Sequence, residues 1–218
     1  MAQARPRIVC FDCDSTLSGI EGIDEMARLR GPDCFSEIDA MTRDAMEGRI
    51  SLDDIFSRRL EIVRPTQSEC ERIGGLYIEQ VEPTAMATLA ALRIAGWTPV
   101  IISGGYTQVI APFAAFLGIE RNEAVPLKFD AAGNYAGYDA SHPASQRGGK
   151  PRLINALKVE LNAEKIVMIG DGASDLETKG TADCFIGFGR YVVRPAVKAG
   201  ADHFVTSLDE VPALLAAR

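Results

Sequence analysis

At 218 residues the chain is at the long end for one compact domain, or long enough for a core domain carrying a smaller insertion. Its 47% hydrophobic and 24% charged residues are close to globular averages, which excludes a disordered, collagenous or coiled-coil protein. A net charge of −7, with no run of Lys or Arg, excludes a nucleic-acid footprint and an anionic-membrane patch, so the expected partner is a small molecule, with no nucleic acid and no membrane.

The opening residues lead straight into a short apolar run, and no 18-residue apolar stretch follows, so a cytoplasmic chain is expected, as a monomer or homodimer. Five cysteines are an odd and sparse set, which fits a reducing compartment. Cys10-Phe11-Asp12-Cys13 spells a C-x-x-C pair, but Cys10 ends an apolar strand, whereas redox motifs of this kind open a helix with their thiols. His142 and His203 have no Cys, His or Glu at ligand spacing, which argues against zinc, and both are expected on the surface.

In chain order, residues 7–12 form an apolar run ending in a carboxylate, the pattern of a buried parallel strand. Comparable strands are expected at 98–103, 165–170, 183–188 and 203–206. Helical patterns lie between them at 86–95, 105–117, 151–161 and 208–217; in the second, Val109, Ile110, Phe113, Phe116 and Leu117 mark one face. Strands alternating with such helices imply an α/β fold, a doubly wound parallel sheet. Residues 18–80 interrupt the alternation with helical pattern throughout, including Ser51-x-x-Asp54 and Thr66-x-x-Glu69 start signals, and read as an inserted helical cap. Residues 127–138, two short polar and aromatic runs around a Gly-Asn turn, read as a small β-hairpin.

Ligands of open α/β sheets sit beyond the carboxyl ends of the strands, and the residues expected there are unusually polar. They are Asp12, Asp14, Ser15 and Thr16 after the first strand, Ser103-Gly104-Gly105 after the second, and Asp171-Gly172-Ala173-Ser174-Asp175 after the third. A Gly148-Gly149-Lys150 turn could aim a lysine at the same edge. Two charges about 4 Å apart repel by roughly 4 kcal/mol even at an effective dielectric near 20, so four converging carboxylates call for a hard cation. Oxygen donors without imidazole or thiolate suit Mg²⁺, which favours a substrate phosphate as a further ligand. Lys150, the Ser103 hydroxyl and glycine-turn N–H groups would serve the remaining phosphoryl oxygens, and the pattern points to phosphoryl transfer. Gly170-Asp171-Gly172 has Asp175 where a dinucleotide fingerprint needs Gly, and Gly149-Lys150 lacks the first Gly of a P-loop.

In order, Phe11-Asp12-Cys13-Asp14-Ser15-Thr16-Leu17, Ser103-Gly104-Gly105, Lys150 and Gly170-Asp171-Gly172-Ala173-Ser174-Asp175 resemble the four motifs of the haloacid dehalogenase superfamily. Glu21-Gly22-Ile23-Asp24-Glu25, Ala45-Met46-Glu47-Gly48, Arg58-Arg59-Leu60, Asn134-Tyr135-Ala136-Gly137 and Phe185-Ile186-Gly187-Phe188-Gly189 extend the likeness over nearly the whole chain, to the branch acting on O-phospho-L-serine. The resemblance implies a Rossmann-like core of residues 1–17 and 81–218, a helical cap of residues 18–80, and Mg²⁺-dependent release of phosphate from O-phospho-L-serine, the last step of serine synthesis. It implies Asp12 as nucleophile and Asp14 as general acid and then base. Asp12, the Asp14 backbone carbonyl, Asp171 and Asp175 would hold Mg²⁺, and Ser103, Gly104 and Lys150 the phosphoryl oxygens. Glu21 would meet the substrate ammonium and Arg59 its carboxylate, with Met46 and Arg194 lining or closing the substrate site. Ser174 stands on the substrate side where the family often has Asn or Thr, and Glu123-Ala124-Val125-Pro126-Leu127 departs from the Asn-containing strand expected before the hairpin. Another small phosphomonoester as substrate, or a non-catalytic phospho-ligand binder, are the alternatives.

Overall fold

Ile8, Val9, Cys10 and Phe11 are all fully buried, and a strand enclosed on both faces needs partners along both edges. In the computed structural model, which describes residues 5–47, 49–50 and 52–216 and leaves out the side chains of residues 46 and 52–54, those partners are parallel strands. The strands are β1 (Arg7–Phe11), β2 (Trp97–Tyr106), β3 (Asn122–Val125), β4 (Leu127–Phe129), β5 (Tyr135–Tyr138), β6 (Lys165–Gly170), β7 (Cys184–Phe188) and β8 (His203–Val205). Six of them make one sheet in the order β3-β2-β1-β6-β7-β8, and every pair in it is parallel. The chain runs to one side of β1 through β2 and to the other through β6, so the crevice at its carboxyl end is a topological switch point.

The five expected strands are present, and β3 adds a sixth at the edge. With four residues, two of them half-buried, β3 is too short for a readable apolar run. It carries Asn122, so an asparagine does stand in the strand ahead of the hairpin. The hairpin itself pairs β4 with β5 antiparallel, and Gly133 takes a left-handed φ of 81° in its turn. Trp97 is buried at the start of β2. His142 and His203 are half-buried rather than exposed: His142 Nδ1 accepts the Ala144 N–H, capping a short turn, and His203 begins β8.

The helices are α1 (Gly22–Arg28), α2 (Pro32–Met46), α3 (Leu52–Val63), α4 (Gln67–Glu79), α5 (Ala85–Ile94), α6 (Thr107–Phe116), α7 (Gly149–Glu160), α8 (Ala173–Leu176), α9 (Pro195–Gly200) and α10 (Val211–Ala216). The first four fill the interval after β1 and, among its described residues, no strand joins the sheet. Where this interval leaves and re-enters the core, Ser18 and Val81 form an antiparallel bridge, the Gly19 N–H donates to Gln80 O at 2.8 Å and the Glu82 N–H to Leu17 O at 2.8 Å. At α4, Thr66 and Glu69 cap each other's backbone, as their spacing predicts. Ser51 lies outside the described residues.

The insertion is not a separate core. Phe56, Leu60, Ile73 and Tyr77 belong to the same buried cluster as the strands. Gly74 permits this approach: a Cβ there would lie 2.9 Å from Pro112 Cγ and 3.1 Å from the Val109 carbonyl, so any side chain would push α4 off α6.

Candidate active site

Beyond β1 the chain cannot continue as a strand or settle into a helix. Asp14 is extended (φ −63°, ψ 135°) and Ser15 is left-handed (φ 51°), a costly conformation for a residue other than glycine. The turn places Asp12 and Asp14 side by side under the insertion. Asp12 Oδ1 accepts the Cys13 N–H at 2.7 Å, and Oδ2 meets Lys150 Nζ at 2.9 Å. Lys150 comes from the first turn of α7, which starts after left-handed Gly148 and two residues earlier than its apolar periodicity indicates. Its Nζ also lies 2.5 Å from Asp175 Oδ1. Burial opposes its charge, but Asp12 and Asp175 together hold the ammonium above its ordinary range.

Asp171 and Asp175 arrive from the end of β6 and the first turn of α8. Their carboxylate oxygens and one from Asp12 all lie within 4.8 Å of one another, and all three residues are buried. Gly170 makes room, since a Cβ there would come within 2.3 Å of Asp175 Cγ. Asp171 accepts from Thr16 Oγ1 at 3.2 Å and pairs with Arg194 at 3.1 Å. Even so, burial and then Asp12 push Asp171 up to about 7, and the same two causes raise Asp175 well above the usual carboxylate range. Lys150 and Arg194 do not neutralise the group. Buried, convergent, hard oxygen donors short of positive charge fit a divalent cation of the Mg²⁺ kind.

Asp14 stands apart from that cluster. Its Oδ1 accepts the Tyr77 hydroxyl and, at 2.8 Å, the Gly22 N–H; its Oδ2 accepts Ser103 Oγ at 3.2 Å. Burial, and then the charge of Asp12, raise its pKa despite these three donors.

The insertion supplies the opposite wall. Glu21, just ahead of α1, accepts Ser15 Oγ at 2.6 Å and is raised well above the usual range by burial and Asp14. Arg59 of α3 is 6% exposed; its Nη1 donates to Thr42 Oγ1 at 3.1 Å, while Nε has no partner among the described residues. Thr42 in turn lies 2.8 Å from Asp24 Oδ1, and burial lifts Asp24 to about 6. One cavity is bounded by Glu21 and Arg59 on this wall and by Asp12, Asp14, Ser103, Gly104, Lys150 and Ser174 on the core side.

Of the two remaining expected substrate-site residues, one is placed differently and the other is not described at its side chain. Arg194 is buried against Asp171 and does not line the cavity, because it immediately precedes α9 and reaches inward to the carboxylate. Met46 ends α2, and its side chain lies outside the described residues; its neighbour Ala45 lines the cavity. Tyr77, Thr42 and Asp24 were not singled out by the sequence. Tyr77 shares an apolar helix face with Ile73 and reads there as core, and nothing local marks a threonine or aspartate as the support of a distant arginine.

Residues 9–178 match the family model described as haloacid dehalogenase-like hydrolase. The chain is 37% identical over 205 residues to the phosphoserine phosphatase of Rattus norvegicus, covering 93% of this chain and 90% of that protein. It is 38% identical over 208 residues to the phosphoserine phosphatase of Drosophila melanogaster, covering 94% and 76%. Among solved structures, a phosphoserine phosphohydrolase-like protein from Francisella tularensis subsp. tularensis SCHU S4 superposes with a TM-score of 0.87 at 27% identity, covering 96% of this chain and 99% of that one.

Proposed function

Since the chain belongs to the haloacid dehalogenase-like hydrolases, we propose that this enzyme hydrolyses O-phospho-L-serine to L-serine and phosphate, the last step of serine synthesis, through an aspartyl-phosphate on Asp12. The observation that carries the substrate is Arg59: a buried guanidinium whose Nε lacks a partner among the described residues, in the wall that also holds Glu21. A buried donor left unpaired costs roughly 1–3 kcal/mol, which a docking carboxylate would relieve. Glu21, which a docking ammonium would hold in its ionised form, would meet that group of the same amino acid.

With Oδ1 tied to the Cys13 N–H, Asp12 attacks phosphorus through Oδ2. The P–O bond to serine breaks as the new P–O bond forms, and Asp14, whose carboxyl is pushed upward by burial and the charge of Asp12, gives its proton to the departing oxygen. Asp14 then takes a proton from water as that water attacks phosphorus, freeing phosphate and restoring both carboxyl groups. Ser103, Gly104 and Lys150 hold the phosphoryl oxygens, and Ser174 adjoins them. Asp12, Asp171 and Asp175, with the Asp14 backbone carbonyl, are the ligands we assign to Mg²⁺. When bound, the cation supplies the positive charge that this carboxylate cluster and a phosphate dianion require. Arg194 is assigned to steadying Asp171. Residues 18–80 act as a cap on a core of residues 1–17 and 81–218. No helix of the described residues is long and apolar enough to cross a membrane, and five cysteines, none joined in a disulfide, suit a reducing cytoplasm.

The test separates recognition of the amino acid from handling of phosphate. Glu21→Gln and Arg59→Ala should each lower kcat/KM for O-phospho-L-serine, since losing one partner of a desolvated charge pair costs roughly 2 to 5 kcal/mol, about 30-fold to several thousand-fold. Both should hydrolyse p-nitrophenyl phosphate within a few-fold of the parent, because it has neither group. Equal losses on the two substrates would overturn the assignment.

A further inference from the structure

Tyr77 sits on the buried face of α4 at 1% exposure, yet its hydroxyl reaches Asp14 Oδ1 at the end of β1. The other donor to that oxygen is the Gly22 N–H, at the start of α1. Both belong to the helical insertion, whereas Oδ2 accepts a single bond, from the rotatable Ser103 hydroxyl at 3.2 Å, and faces Gly105, where a Cβ would lie 2.8 Å from it. An oxygen already accepting two hydrogen bonds is a poor seat for a proton, which leaves Oδ2, on the cavity side, to carry it. The phenol is fixed from two directions. Its ring meets Phe113 of α6 edge-on with centroids 5.7 Å apart, and Gly22 leaves space that a Cβ would fill, 2.5 Å from the hydroxyl.

We infer that Tyr77 is a positioning residue for Asp14: with the Gly22 N–H it reserves Oδ1, turns Oδ2 to the cavity, and makes proton transfer to the leaving group depend on the insertion being seated on the core. This rests on the reading of Asp14 as acid and base. A residue that only filled space would affect all substrates alike, whereas a misaimed acid harms those whose leaving oxygen needs a proton. The test is kcat/KM of Tyr77→Phe in Mg²⁺ with O-phospho-L-serine, phenyl phosphate and p-nitrophenyl phosphate. The first two should fall about 10- to 100-fold, a fraction of what a general acid contributes, and the third, whose leaving group departs as an anion, by less than about threefold. Gly22→Ala, which drives a methyl against the hydroxyl and displaces it from Oδ1, should give the same dependence on leaving group and serves if Tyr77→Phe folds poorly. Equal losses on all three esters, or no loss on the first two, overturns the inference. If the parent cleaves the aryl esters but not phosphoserine, the substrate reading fails, and the phenyl to p-nitrophenyl ratio still decides the role of Tyr77.

Discussion

Asp12 has one oxygen held by the backbone and the other against Lys150, in a pocket where burial and mutual repulsion already strain Asp171 and Asp175. Replacing it with asparagine keeps the shape and removes one negative charge. Asp12→Asn should therefore lower turnover of phosphoserine by several orders of magnitude, while the folded protein, measured by thermal unfolding in EDTA, is no less stable than the parent. Substantial turnover in the variant would remove Asp12 as the nucleophile. The motifs marked Asp12, Asp14, Ser103, Lys150, Asp171 and Asp175 because each lies at a strand end or helix start whose position along the chain is itself patterned. Arg59 owes its meaning to a missing partner, which no spacing reveals.

Helix α4 illustrates how an element links the insertion to the rest. Thr66 and Glu69 close its first turn, and Glu69 also receives both guanidinium arms of Arg30, at 2.6 and 2.7 Å. Arg30 first, with the Thr66 N–H assisting, lowers Glu69 to about 2. A carboxyl whose folded pKa lies below its unfolded value stabilises fully above the unfolded value of about 4.5 and loses that contribution as pH falls toward 2. Because the pair lies at the surface, with the side chains 28% and 24% exposed and so screened by solvent, we expect about 1 kcal/mol rather than the full value of the shift. Urea unfolding at pH 3, 4 and 6 should find Glu69→Gln less stable than the parent at pH 6 and the difference shrinking at pH 3; a constant difference would contradict the linkage. The capping box was legible because it is a local pattern. The bond from Tyr77 to Asp14 was not, because it joins residues that meet only when α4 lies over the end of β1.

For the whole molecule, the neck at Ser18 and Val81 and the shared core make the cavity a product of both parts, and Asp12, which lines it, belongs to a group of three buried carboxylates with too little positive charge. A ligand that binds the native state and not the unfolded chain stabilises by mass action, about 2.7 kcal/mol at a concentration 100 times its Kd. In excess Mg²⁺ the unfolding temperature should rise by roughly 5–10 °C over that in EDTA for a chain of this size. EDTA should also abolish turnover. An unchanged unfolding temperature would count against the ligand set of Asp12, Asp171 and Asp175.

By itself the sequence determined the alternation of strands and helices, the helical interruption between them, and the carboxylates at strand ends, since apolar periodicity and turn chemistry act over a few residues and survive as local pattern. The short edge strand β3 escaped it, for four mixed residues carry too little period to read. Only the tertiary structure decided which donors reach Asp14, why Arg194 turns to Asp171, and that Arg59 Nε is left without a partner. Each of these depends on distances between segments far apart in the chain, and such distances are fixed by how the insertion packs on the sheet rather than by the residues beside each group.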